Sequence, residues 1–151
     1  LNMDEIRFYR ANQKEYGFLS NLYKRSIKFE GKEFTTSEHA YQYGKFAKKD
    51  VAEWAMNAPA PHLLAIIAHG LFRWDVVPNW SKIKVERMKN VLIEKFTQHS
   101  DLKEKLLSTK DSILIEESNI DPYWGCGKNG KGKNMLGILL MEVREELSKE
   151  L

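Results

Sequence analysis

The chain reads as α+β: a compact, helix-rich single domain with a small sheet. Three observations lead there. Apolar residues recur at helical spacing through the middle and end of the chain. Short alternating segments are confined to the first third and to one stretch around Leu114. Nothing between them has the composition of a linker, a repeat or a low-complexity tract. At 151 residues the chain has the length of one domain, read as spanning residues 1–151, and can bury a core without staples. Its 42% apolar and 30% charged residues are those of an ordinary globular protein rather than a disordered or fibrous one.

Taken in order, Ile6-Arg7-Phe8-Tyr9 alternates as a short strand. Ile27 to Phe34 reads as two short strands turning at Glu30-Gly31. After Thr35-Thr36 a helix is predicted to run to about Lys48, and a second from about Asp50 to Asn57, ended by Pro59 and Pro61. His62 to His69 is a compact apolar helix closed by Gly70. Ser81 to Gln98 forms a longer one, whose Val85, Met88, Leu92 and Phe96 are core residues. Ser100 caps a short helix carrying Leu102, Leu106 and Leu107, and Ser112 to Glu116 is a strand for the same sheet. Asn134 caps a final helix, with Leu136, Leu139, Leu140, Val143 and Leu147 on one face and charges from Glu142 to Glu150 on the other.

Bulk properties exclude several classes. A net charge of +3 does not by itself demand nucleic acid. Cys126 stands alone, which leaves no disulfide within the chain and no paired-cysteine metal pattern. The four histidines, 39, 62, 69 and 99, share no metal-ligand spacing, so neither a metal nor a cofactor is expected. No apolar run approaches the ~18 residues that cross a bilayer. Leu1-Asn2-Met3 lacks the basic and apolar regions of a signal peptide, with Met3 read as the initiator, so a cytoplasmic monomer is the expectation.

The segment Asp121-Pro-Tyr-Trp-Gly-Cys-Gly-Lys-Asn-Gly-Lys-Gly-Lys-Asn134 sets four glycines and three lysines before an apolar helix. Gly125, Gly130, Gly132 and Lys131, with Asn134 at the helix start, suit an anionic ligand; a solvated surface loop is the competing reading. It is not a P-loop, because its last position, Asn134, has no hydroxyl for Mg²⁺ and Glu116-Glu117-Ser118-Asn119 is not an apolar strand running into the loop. Upstream, Glu38, Gln42 and Lys45 at i, i+4 and i+7 share one helical face and offer a carboxylate, an amide and an amine. Thr35 with Glu38 also fits a capping box, and such a stripe can be simply a wet face. Tyr41 and Phe46 are read as packing residues, and Asp121 before Pro122 also suits a plain turn. Trp54, Trp74 and Trp80 are read by default as core, with base stacking as the alternative.

Three ordered motifs carry a resemblance: Tyr16-Gly-Phe-Leu-Ser-Asn-Leu-Tyr23, Gly31-Lys-Glu-Phe-Thr-Thr-Ser-Glu-His-Ala-Tyr-Gln-Tyr-Gly-Lys-Phe46, and Asp121-Pro-Tyr-Trp-Gly-Cys-Gly followed by Gly130-Lys-Gly-Lys-Asn-Met-Leu-Gly137. Together they resemble the NADAR, or YbiA-like, N-glycosidase family over nearly the whole chain. The resemblance implies a compact helix-rich α+β fold and hydrolysis of N-glycosidic bonds to ribose phosphate or ADP-ribose. The substrates it implies are ribosylamino-pyrimidine phosphates of riboflavin biosynthesis, or ADP-ribose on guanine bases of DNA or RNA. It places the acidic functional residue at Glu38, a functional lysine at Lys45, and Asp121 and Trp124 in the Asp-x-x-Trp-Gly motif. Ser20 and Asn21 match its Ser-Asn pair, read as polar groups over the ribose or base. Gln42, Trp80 and Tyr123 complete the expected substrate contacts. The chain departs from the pattern at Leu19, Leu22, Leu71 and Cys126. C1–N cleavage needs a stabilising carboxylate and a proton donor, tasks that Glu38 and Asp121 fit; in the alternative, Lys45 attacks C1 as a neutral amine, its pKa lowered by burial or a neighbouring cation. The rival reading is a non-catalytic module that binds ADP-ribose or nucleic acid.

Overall fold

A computed structural model describes residues 4–150, so Met3 lies outside the described residues. The elements run β1 (Glu5–Phe8), β2 (Ile27–Phe29), β3 (Lys32–Phe34), α1 (Ser37–Tyr43), α2 (Lys49–Met56), α3 (Pro61–His69), α4 (Trp80–Gln98), α5 (Ser100–Ser108), β4 (Ile113–Glu116) and α6 (Met135–Ser148), with 3-10 turns at Gly17–Leu19 and Arg73–Asp75. This is the expected helix-rich α+β fold, but its strands form two separate pairs rather than one sheet. β1 and β4 are parallel, Glu5 facing Ile113 and Phe8 facing Glu116; β2 and β3 form an antiparallel hairpin. The hairpin turns where expected, with Glu30 and Gly31 both at positive φ, the backbone that a two-residue primed turn needs.

The core follows from the helical periodicity. Met88, Leu92 and Phe96 of α4 meet Leu102 and Leu106 of α5, and Leu136, Leu139, Leu140, Val143 and Leu147 of α6, with Phe8 and Leu114 from the parallel strands. Val85 packs at the edge of this cluster. A second cluster joins Phe46 to Ala52 and Ala55 of α2 and to Leu64 and Ala68 of α3. Two tryptophans depart from the core reading: Trp54 is 65% exposed and Trp74 is 70% exposed. Trp74 instead stacks on Phe72 at 4.8 Å, two solvent-facing rings covering one another.

α1 ends at Tyr43, well short of Lys48. Arg87 of α4 donates from Nε to the Tyr41 carbonyl at 3.0 Å and from Nη2 to that of Ala40 at 2.6 Å, which satisfies carbonyls at the end of α1. The same guanidinium fills the space that a Cβ on Gly44 would take. At the other end of the chain, Asn134 sits before α6 in the left-handed region, and its side chain does not cap the helix. It reaches sideways: Oδ1 accepts from Glu116 N and Nδ2 donates to Leu114 O, both at 2.9 Å, clasping β4. Gly137 lies directly under that strand, where a Cβ would run into the Leu114 carbonyl. Gly137→Ala is therefore expected to cost about 2 kcal/mol through overpacking, read as a Tm drop of roughly 4–8 °C in a thermal melt.

Candidate active site

The functional side chains gather around a cavity of about 860 Å³ between the end of β1, α1, α3, α4 and the loop after β4, a size usual for small-ligand sites. The loop Ser20-Asn21 builds its floor. The Asn21 carbonyl accepts from Glu38 N at 3.1 Å. Asn21 Oδ1 accepts from Ser37 Oγ at 2.9 Å and its Nδ2 donates to Met88 Sδ at 3.3 Å. Asn21 thus faces the protein and fixes the first turn of α1. Beneath it, the fully buried Lys95 of α4 donates to the carbonyls of Phe18 at 2.7 Å and Ser20 at 3.1 Å. Burial brings the Lys95 amine down to about 7.

The cap of α1 is Thr36, whose Oγ1 accepts from His39 N at 3.1 Å. The expected Thr35–Glu38 capping box is therefore not formed, and Glu38 turns to the cavity. Glu38 Oε1 accepts from Gln42 Nε2 at 2.8 Å. Burial pushes the Glu38 carboxyl above its ordinary range and Asp121 adds to this, while the Gln42 hydrogen bond and Lys45 oppose it. Gln42 Oε1 is buried with no partner among the described residues. Lys45 enters from the turn beyond α1 rather than from its face, and Nζ donates to Ala68 O at 2.8 Å. Burial first, then the neighbouring Lys84, hold its amine below the usual lysine range.

Asp121 orients the opposite wall. Its Oδ1 accepts from the backbone N–H of Tyr123 and of Trp124, each at 2.9 Å, the Asx-turn geometry that an aspartate before proline favours. Aromatic faces line the cavity behind it. Tyr41 meets Trp124 edge-on at 5.4 Å and Trp80 at 5.2 Å. Lys84 Nζ stands 3.9 Å over the Tyr123 ring.

Of the sequence-predicted residues, the fold brings Ser20, Asn21, Glu38, Gln42, Lys45, Trp80, Asp121, Tyr123 and Trp124 to this one cavity. Gly125, Gly130, Lys131, Gly132 and Asn134 do not line it. The reason lies in the hydrogen bonds of the loop. The N–H groups of Asn134, Met135 and Leu136, which open α6, are taken by the carbonyls of Gly125, Tyr123 and Trp124 at 3.0 Å each. Gly125 and Gly132 pack backbone against backbone, where a Cβ on either would clash. The glycines fold the loop on itself, and its helix N-terminus has spent these donors internally.

Three charged lining residues lie outside the sequence-predicted set: Arg10, Lys84 and Glu116. Arg10 and Lys84 supply positive charge that the glycine loop does not bring to the cavity. Glu116 ends β4 with Oε2 buried and without a partner among the described residues. Burial, then Asp121 and Glu38, raise its carboxyl to about 8. A charged residue closing the run Ile-Leu-Ile-Glu looks like an ordinary strand end in sequence, and the charge on a strand otherwise apolar was the one available signal.

Fold and site together define a NADAR-domain protein: the NADAR domain matches residues 7–148, and the chain belongs to that family. It is 39% identical to N-glycosidase YbiA of Escherichia coli over 96% of this chain and 89% of that protein. It is 37% identical to the N-glycosidase Npun_R5314 of Nostoc punctiforme, over 94% of this chain and 92% of the relative. A riboflavin biosynthesis protein of Vibrio vulnificus matches at 38% over 95% of this chain but only 39% of its own length. The NMR structure of E. coli YbiA superimposes with a TM-score of 0.87 at 38% identity, covering 99% of this chain and 88% of that one.

Proposed function

We propose that this protein is an N-glycosidase that hydrolyses the bond between a nitrogen heterocycle and a phosphorylated ribose, either a ribosylamino-pyrimidine phosphate or ADP-ribose carried on guanine. The carrying observation is the convergence of Glu38 and Lys45, from α1 and the turn after it, with Asp121, from the loop after β4, on one aromatic-walled cavity. A module that only binds has no need of a buried carboxylate beside an amine whose pKa is depressed. The names of the relatives support the reaction class, and the riboflavin biosynthesis relatives support the pyrimidine substrate.

Each group has a task that its surroundings suit. Trp80, Tyr123 and Trp124 offer faces to a planar base. Arg10 and Lys84 supply charge for phosphate. The free acceptor of Gln42 suits a ribose hydroxyl or a base N–H. The Glu38 carboxylate stabilises positive charge growing on the sugar and takes a proton from the attacking water. Asp121, committed as an acceptor to two N–H groups, adds oriented negative charge. In the covalent variant, Lys45 as a neutral amine keeps its lone pair while donating one N–H to Ala68, and attacks C1 of the opened ribose.

The test is to offer the purified protein a ribosylamino-pyrimidine phosphate and, separately, a guanine-ADP-ribosylated oligonucleotide, with and without borohydride, and to follow products by mass spectrometry. Release of the base from either substrate is the expected result, and which one is cleaved assigns the substrate. A sugar adduct on a peptide containing Lys45 selects the covalent route; its absence selects direct hydrolysis. Tight binding of both without release would replace the enzyme reading with that of a binding module.

A further inference from the structure

We propose that Glu116 is the general acid of this site, the residue that protonates the departing nitrogen; the assignment rests on the glycosidase reading above. C1–N cleavage loads negative charge onto the heterocycle, and a proton must meet it. The carboxylates already placed are poorly suited to bring one. Glu38 accepts from Gln42 through Oε1 at 2.8 Å, and Asp121 accepts two backbone N–H groups through Oδ1. Glu116 lies in the wall of the same cavity, and its Oε2 has no hydrogen-bond partner among the described residues. The same oxygen is sealed from solvent, which disfavours the charged form. Its backbone is held from the other side by the Asn134 clasp.

The charges around it agree. Asp121 from the following loop and Glu38 from α1 are the acidic groups that raise it. Lys45, Lys84 and Arg10 line the same cavity. α6 brings the uncharged Asn134 to β4 and, near the other end of the strand, Arg144, which donates to Ser112 O at 2.8 Å. A carboxyl raised to about 8 is largely protonated at neutral pH, a condition that suits an acid catalyst.

The step balances as follows. The C1–N bond breaks with its electron pair going to nitrogen, which takes the proton from Glu116 and leaves a carboxylate there. The oxygen of a water molecule forms the new C1–O bond and passes a proton to the Glu38 carboxylate. Transfer of one proton from Glu38 to Glu116 through solvent restores both, and the net reaction consumes one water.

Glu116→Gln keeps the shape and removes the titrating proton. On whichever glycoside the wild type cleaves, kcat is expected to fall by about a hundred- to ten-thousandfold, with KM changed less than threefold. The alkaline limb near pH 8 should vanish from the residual pH–rate profile, and Glu116→Asp should recover part of the rate. Stability gives a readout independent of turnover. The folded pKa lies above the unfolded one, so the unfolded state binds fewer protons between about pH 4.5 and 8, and stability falls as pH rises through that window. The wild-type Tm should decline across it more steeply than that of Glu116→Gln. A variant within threefold of wild-type kcat, an alkaline limb that persists in it, or equal Tm slopes in the two proteins would each overturn the assignment while leaving the glycosidase standing. A wild type that cleaves none of the glycosides offered would remove the glycosidase reading and the assignment together.

Discussion

Replacing Glu38 with glutamine is expected to lower kcat by about a thousandfold, within the range that one acid–base group contributes, without unfolding the protein. Glutamine has the same shape and can present its carbonyl oxygen to Gln42 Nε2, preserving the 2.8 Å hydrogen bond. The backbone N–H of residue 38 keeps its bond to the Asn21 carbonyl whatever the side chain. Only the charge is lost, and it is a charge that burial and Asp121 already disfavour. Tm should therefore hold or rise slightly while turnover collapses. Because the Glu38 carboxyl is raised, the acid limb of the pH–rate profile should lie above the ordinary carboxylate range, and it should be absent from the residual activity of the variant. Turnover within tenfold of wild type would remove Glu38 from the chemistry.

Asn134→Ala carries the largest expected loss of stability, about 4 kcal/mol. Two part-buried backbone groups of β4, Glu116 N and Leu114 O, lose their partners, each at about 1–3 kcal/mol, and alanine must also hold the positive φ that Asn134 holds at 52°, adding about 1 kcal/mol. Asn134→Asp separates these contributions: the aspartate retains the acceptor for Glu116 N but has no donor for Leu114 O, so it should fall between the two. Chemical denaturation at fixed pH measures all three proteins. A loss below about 1 kcal/mol for the alanine variant would show that the clasp is dispensable.

The two residues also show what is legible in sequence and what is not. Glu38 stood out because its motif and helical spacing are local properties, and the same is true of the apolar spacing that sets the cores of α4 and α6. Lys45 reaches the cavity from beyond α1 rather than from the helical face its spacing suggests: the helix ends first, since its stop depends on Arg87, far along the chain. Asn134 was read as a cap and a ligand contact because sequence shows its neighbours, not the strand it reaches across to. The glycine loop was read as open to an anion, but the carbonyls that occupy its N–H groups became visible only once the loop was folded. Pairing of β1 with β4 was out of reach for a similar reason, because parallel partners are joined by no turn.

That pairing has a practical consequence. Glu38 and Lys45 lie before the turn at Thr109–Ser112, while Glu116, Asp121 and the Asn134 clasp lie after it, and β1 pairs with β4 across it. A chain cut at this turn yields one fragment with the α1 groups and another with the opposing wall, neither holding a whole site. Fused to two proteins that bind each other, the halves would regain turnover only when brought together, making the molecule a template for a split reporter.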